Sequence, residues 1–147
     1  MMLIKQFEND HISQAKLLAD QNRFSLGFIP KKKLEEIIEQ RRGMVAIEEN
    51  RVIGFVIYRH RKTDLQTTLS EICVQGNYRN QSIGKQLIDS LIQDCIDRSR
   101  EYIQLKCPID LPANDFYKEL GFKLFATEVG KRRKINVWRF DIMKNQK

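Results

Sequence analysis

The chain of 147 residues is 41% hydrophobic and 31% charged, with seven Gly and three Pro, a size and make-up that predict one domain spanning 1–147 and exclude collagen-like, low-complexity and wholly disordered classes. Lys and Arg outnumber Asp and Glu by 26 to 19, and the resulting +7 favours polyanionic partners through long-range attraction without naming one. No apolar run approaches the roughly 20 residues of a membrane-spanning helix, and the N-terminus lacks the apolar stretch and cleavage site of a signal peptide, so a cytoplasmic protein without a membrane partner is expected.

Met2 to Phe7 alternates as a strand, and Asn9-Asp10 offers an N-cap for a helix carrying Ile12, Ala15, Leu17 and Leu18. Asn22 to Ile29 reads as a loop, after which Pro30 opens a second helix, Lys31 to Arg41, ended by Gly43. Met44 to Glu48, Val52 to Tyr58 and Leu65 to Val74 are strand candidates in an antiparallel meander whose first turn is Glu49-Asn50. Ile83, Leu87, Ile88, Leu91, Ile92, Cys95 and Ile96 recur at helical spacing and predict a helix from about Ser82 to Arg98. A strand at Tyr102 to Cys107, a loop at Pro108 to Pro112 and a short helix at Ala113 to Leu120 follow. In that helix Phe116 and Leu120 are expected in the core and Gly121 as its C-cap. Two strands, Phe122 to Val129 and Ile135 to Ile142, close the chain around the basic turn Gly130 to Lys134. The order β-α-α-β-β-β-α-β-α-β-β predicts an α/β fold, a mixed sheet covered by helices.

Cys73, Cys95 and Cys107 are an odd number at wide spacing within apolar patterns, which argues for buried, reduced thiols. The two histidines, His11 and His60, and the lack of a Cys-x-x-Cys pair leave no metal motif. His60, within Tyr58-Arg59-His60-Arg61-Lys62, reads either as a solvated cationic edge or as an acceptor-binding rim.

The junction Val74-Gln75-Gly76-Asn77-Tyr78-Arg79-Asn80-Gln81-Ser82-Ile83-Gly84-Lys85-Gln86-Leu87 leads from a strand into a helix start. Free backbone N–H groups and the positive helix end suit a phosphate there, Arg79 and Lys85 add charge at the rim, and Gly84 lets a ligand approach closely. The spacing fits neither a Walker A loop, since Gln86 stands where a magnesium-binding hydroxyl is needed, nor a three-glycine dinucleotide loop. Arg79-Asn80-Gln81-Ser82-Ile83-Gly84 resembles the acetyl-CoA pyrophosphate loop of the GNAT superfamily of N-acetyltransferases, with Ser82 at the first glycine position, where a positive φ would be strained. Pro112-Ala113-Asn114-Asp115-Phe116-Tyr117-Lys118-Glu119-Leu120-Gly121-Phe122 is similar to that family's other motif, and the order of elements agrees over nearly the whole chain.

The resemblance implies an acyl-CoA N-acyltransferase-like sheet, mostly antiparallel, and an acetyl-CoA-dependent enzyme needing no metal. It implies that the pantetheine arm pairs with the backbone of Ile72, Cys73 and Val74, and that the pyrophosphate sits on Asn80, Gln81, Ser82, Ile83, Gly84 and Lys85, beside Arg79. Asn114 and Tyr117 complete the implied cofactor set. Tyr117 matches the residue that protonates the departing thiolate, whose ordinary pKa of about 8.5 asks for modest help. Glu71 is the visible candidate for the base, although strand parity sets it on the face opposite Thr68, Ser70, Ile72 and Val74, where an ion-pair role competes; Ser70 or Thr68 could instead hold a water. The acceptor would be an amine on a small molecule or a protein, with a homodimer left open. Lys131 to Lys134 reads equally as a solvated turn and as the edge of the acceptor channel. The competing readings are a catalytically idle CoA-binding domain and a nucleic-acid-binding module, the latter less favoured for want of aromatic interleaving and a recognition helix.

Overall fold

A computed structural model describes residues 2–79 and 82–142. The strands are β1 (Met2–Gln6), β2 (Gly43–Glu48), β3 (Arg51–His60), β4 (Gln66–Val74), β5 (Tyr102–Pro108), β6 (Lys123–Val129) and β7 (Lys134–Asp141). The helices are α1 (Ile12–Gln21), α2 (Arg23–Leu26), α3 (Lys31–Glu39), α4 (Ile83–Asp97) and α5 (Ala113–Glu119). The strands hydrogen-bond in the order β1-β2-β3-β4-β5-β7-β6, a seven-stranded, mostly antiparallel sheet with one parallel ladder. The fold is thus the expected α/β arrangement of a mixed sheet and helices. The chain divides into two compact units, the first running to Arg59 and taking in Ser70–Leu91, the second holding His60–Leu69 and continuing from Ile92. Strand β4 contributes to both.

In the first unit, β1 lies antiparallel on β2 from Met2↔Glu48 to Gln6↔Met44, and β2 on β3 with a register shift at Ala46/Ile47. Glu49 and Asn50 both adopt left-handed φ, 51° and 62°, which is what a two-residue hairpin turn matched to strand twist requires. Phe7, Ala15, Leu18, Leu34, Ile37, Val45, Phe55 and Ile57 form the core between α1, α3 and the strands. Each large apolar side chain removed from water contributes about 1.5–3 kcal/mol, whereas exposed pairs such as Lys16–Asp20 contribute about 0–1, so packing rather than charge holds this unit together.

Two local expectations are corrected here. The entry to α1 is capped one residue earlier than expected: Asn9–His11 forms a 3-10 turn, and the Glu8 backbone N–H donates to His11 Nδ1 at 2.9 Å. Asn22 to Ile29 is not loop throughout, because Arg23–Leu26 closes a helical turn through Leu26 N–H to Asn22 O at 3.0 Å and Gly27 N–H to Arg23 O at 2.8 Å. Gly27, at φ 75°, terminates it in the way left-handed glycines end helices.

In the second unit, β5 runs parallel to the start of β4 (Gln66↔Tyr102, Thr67↔Ile103, Thr68↔Gln104) and antiparallel to β7 along its whole length. β6 follows as an edge strand on β7, shifted in register at Leu124/Ala126. Its outer residues Leu124, Phe125 and Val129 are exposed, while Ile103, Leu105, Val137, Trp138 and Phe140 are buried.

Candidate functional site

The strand-to-helix junction belongs to the first unit. Strand β4 ends at Val74, and the ladder is prolonged by Gln75 N–H donating to Ile53 O at 2.8 Å. A Cβ on Gly54 would stand 2.9 Å from the Cys73 carbonyl and 3.3 Å from Leu87 Cδ1, so a glycine is what lets β3 lie this close to the end of β4. After a 3-10 turn at Gly76–Tyr78, the chain reaches Ser82 at φ 63°, the left-handed conformation that a glycine adopts freely and that is strained for serine by roughly 1–2 kcal/mol. Buried Ile83 pins the start of α4, and Ser82 O accepts from Gln86 N–H at 3.0 Å. The first-turn amides of Ile83, Gly84 and Lys85 have no acceptor within the helix, and the dipole of this 15-residue helix is positive at that end. Asn80 and Gln81, also expected in the site, lie outside the described residues.

The rim charges are engaged. Lys85 Nζ is 2.8 Å from Asp89 Oδ2, and Arg79 donates from Nε to Val74 O at 3.1 Å and from Nη2 to Asn22 Oδ1 at 2.6 Å. On β4 itself, Ile72 and Val74 are half-buried and Cys73 is buried. Glu71 is half-buried, and burial pushes its carboxyl up to about 7. The same cause pushes the Cys73 thiol up to about 11, with Arg79 opposing, so Cys73 is an unreactive packing residue rather than a nucleophile.

The other expected residues lie in the second unit, on α5. Gly121, at φ 99°, caps the helix as expected, with its N–H on Lys118 O at 3.1 Å. The burial is the reverse of expectation: Phe116 and Leu120 are only half-buried, and Tyr117 is the buried residue of the helix. Its ring packs edge-on to Phe116 at 5.5 Å and to Phe122 at 5.8 Å, and Phe122 meets Phe140 at 5.4 Å. A core of aromatic rings beneath α5 selects the neighbour that points at it. Asn114 ties the helix start down: Nδ2 donates to Pro108 O at 2.9 Å and Leu111 O at 2.8 Å, while Oδ1 accepts from Trp138 Nε1 at 2.8 Å and Asn136 Nδ2 at 3.1 Å.

A protein-family model described as an acetyltransferase (GNAT) domain matches residues 6–142. The chain belongs to the GNAT acetyltransferase family. As a member it is an acetyl-CoA-dependent N-acetyltransferase. Among solved structures of similar fold, Ard1 from Thermoplasma volcanium has a TM-score of 0.83 at 16% identity, covering 95% of this chain and 97% of the other. The ribosomal-protein-S18-alanine N-acetyltransferase from Escherichia coli gives 0.82 at 18%, covering 97% and 94%. The aminoglycoside 6'-N-acetyltransferase from Enterococcus faecium gives 0.83 at 16%, covering 95% and 97%. No curated protein matches the chain by sequence.

The Ser82 backbone already has a φ that a glycine adopts freely, and the amides at the start of α4 form a donor set that an anion such as a phosphate could take. Among the described residues no three His, Cys, Asp or Glu side chains gather as metal ligands. His60 is not a freely solvated cation: it is half-buried, with Nδ1 2.7 Å from Thr67 Oγ1 and Nε2 2.8 Å from Asp94 Oδ2. Sequence reasoning missed this network, the packing role of Gly54 and the contact of Asn22 with Arg79. Each joins residues far apart in the chain, and only the glycine breaking an apolar run at 54 gave any local signal.

Proposed function

We propose that residues 1–147 act as one acetyltransferase domain that moves an acetyl group from acetyl-CoA to a primary amine, by direct attack in a ternary complex. The observation that carries this reading is the β4-to-α4 junction: Ser82 held at φ 63°, a first helical turn whose amides have no acceptor within the helix behind it, and the end of β4 before it. Acetyl-CoA supplies the activated thioester when bound. The amides of Ile83, Gly84 and Lys85 would hold its pyrophosphate, with Ser82 shaping the turn, and the backbone of Ile72 to Val74 would take the pantetheine as a further strand.

Glu71, with its carboxyl raised to about 7, is half ionised near neutrality. A base in that range both exists as carboxylate and retains the basicity to accept a proton from the attacking amine, directly or through a water. Tyr117 carries a phenol on a rigid, ring-packed helix and is suited to give its Oη proton to the departing sulfur. Structures of similar fold include an aminoglycoside 6'-N-acetyltransferase and a ribosomal-protein-S18-alanine N-acetyltransferase, which agrees with an amine on either a small molecule or a protein as the acceptor.

The test is CoA binding by calorimetry together with thiol release over a panel of amines. Micromolar or tighter binding and release with at least one amine support the reading. Binding without turnover favours the idle module, and absence of both sinks the proposal. Gly84→Asp places bulk and negative charge where phosphate meets backbone, and a folded Gly84→Asp protein with unchanged CoA affinity would remove the proposed site.

A further inference from the structure

Asn22 sits at the corner between α1 and α2 with each of its polar groups engaged. Its N–H donates to Ala19 O at 3.1 Å, its C=O accepts from Leu26 N–H at 3.0 Å, and its Nδ2 donates to Leu18 O at 2.9 Å. The remaining atom, Oδ1, accepts from Arg79 Nη2 at 2.6 Å. Arg79 in turn folds back over the 3-10 turn at Gly76–Tyr78 and donates Nε to Val74 O at 3.1 Å, so one guanidinium joins the helix corner to the last carbonyl of β4. A planar fork with fixed donors can hold two acceptors at a set angle, which an ammonium cannot do.

We propose that Asn22 is a positioning residue for the cofactor: through Arg79 it fixes the end of β4 and the turn that follows, so that the pantetheine edge and the phosphate loop are in place before acetyl-CoA arrives. The inference rests on the reading that β4 and the start of α4 take the cofactor. Arg79 then acts on the strand and the turn, and the anion is met by backbone amides. Preorganisation lowers the ordering that binding must accomplish, so its loss falls on affinity rather than on chemistry. The same brace couples the α1–α2 corner to the loop, so CoA bound at one should quiet the other.

The experiment compares wild type, Asn22→Ala, Asn22→Asp, Arg79→Ala and the Asn22→Ala/Arg79→Ala double variant. CoA affinity is measured by calorimetry, the single-turnover rate at saturating acetyl-CoA by rapid quench, and amide hydrogen exchange with and without CoA. For Asn22→Ala the expected result is a loss of affinity of about three- to tenfold, typical of one charge-assisted hydrogen bond near solvent, with the single-turnover rate unmoved. Asn22→Asp keeps an oxygen for Arg79 while losing the donor to Leu18 O, and should bind CoA like wild type. The double variant should bind no worse than Arg79→Ala, because the two side chains act as one unit. In wild type, CoA should slow exchange at the Leu26 and Gly27 amides, and in Asn22→Ala that slowing should vanish. Equal losses in Asn22→Ala and Asn22→Asp, additive losses in the double variant, or wild-type affinity in Asn22→Ala would each overturn the proposal while leaving the acetyltransferase reading intact. A wild-type protein that binds no CoA brings down that reading, and this inference with it.

Discussion

Tyr117 combines a buried ring with a polar tip, and the two can be separated. Tyr117→Phe keeps the edge-on contacts with Phe116 and Phe122 and removes only the hydroxyl, so the ring packing beneath the helix is retained. The single-turnover rate should fall by about a hundredfold, the loss expected for one general acid, with CoA affinity nearly constant; an unaltered rate would leave water as the donor. Glu71 makes a prediction in pH. With its carboxyl raised to about 7 by burial, kcat/KM should rise with pH through about 7 and level off above, and Glu71→Gln should abolish that limb. Ser82 and Tyr117 were legible in the sequence because each stands in a local motif. The elevation of Glu71 was not, since it depends on what covers one face of β4.

The lock on the end of β3 works at the level of elements. With the imidazole neutral, Cys95 Sγ–H donates to Thr67 Oγ1 at 3.4 Å, Thr67 Oγ1–H to His60 Nδ1, and His60 Nε2–H to Asp94 Oδ2. Burial lowers the His60 pKa, aided by Arg98 and Arg100 and opposed by Asp94. The unfolded chain therefore binds that proton more tightly, so the contribution of His60 to stability is complete above its ordinary value of about 6.5 and is lost as pH falls below it. Glu71 works in the opposite direction: its raised pKa gives stability that is present at low pH and lost as pH rises from about 4.5 to 7. Urea unfolding of Glu71→Gln should accordingly show a steeper decline between pH 6.5 and 5 than wild type, because the slopes of His60 and His11, both lowered by burial, then run unopposed by Glu71. Asp94→Ala, which removes the carboxylate that accepts from His60 Nε2 and holds Arg98 Nε, should cost about 1–3 kcal/mol at pH 7.5. Element order was readable from periodicity and turn residues. Helix α2 was missed because four residues are too few for a periodic signal, and the face of α5 was misjudged because Phe and Leu outrank Tyr in hydrophobicity while the rings of Phe122 and Phe140 lay unseen.

For the whole molecule the basic excess matters through where it is exposed. Arg133 is held by Asp110 at 3.1 Å, which leaves Lys131, Arg132 and Lys134 presenting charge on the β6–β7 turn. Reversing those three to Glu should leave CoA affinity alone and raise the apparent KM for an acidic acceptor, by a factor that shrinks as ionic strength increases; an unmoved KM at low salt would mark the turn as merely solvated. Trp138 is the one tryptophan of the chain, and its indole N–H donates to Asn114 Oδ1 at 2.8 Å. Its emission is thus an optical readout of a single amide, built into the protein without labelling. A ligand that recruits the Asn114 side chain takes away the indole's acceptor and should shift the fluorescence on titration with CoA, and Asn114→Ala should produce that shift in the free protein and silence the response to ligand.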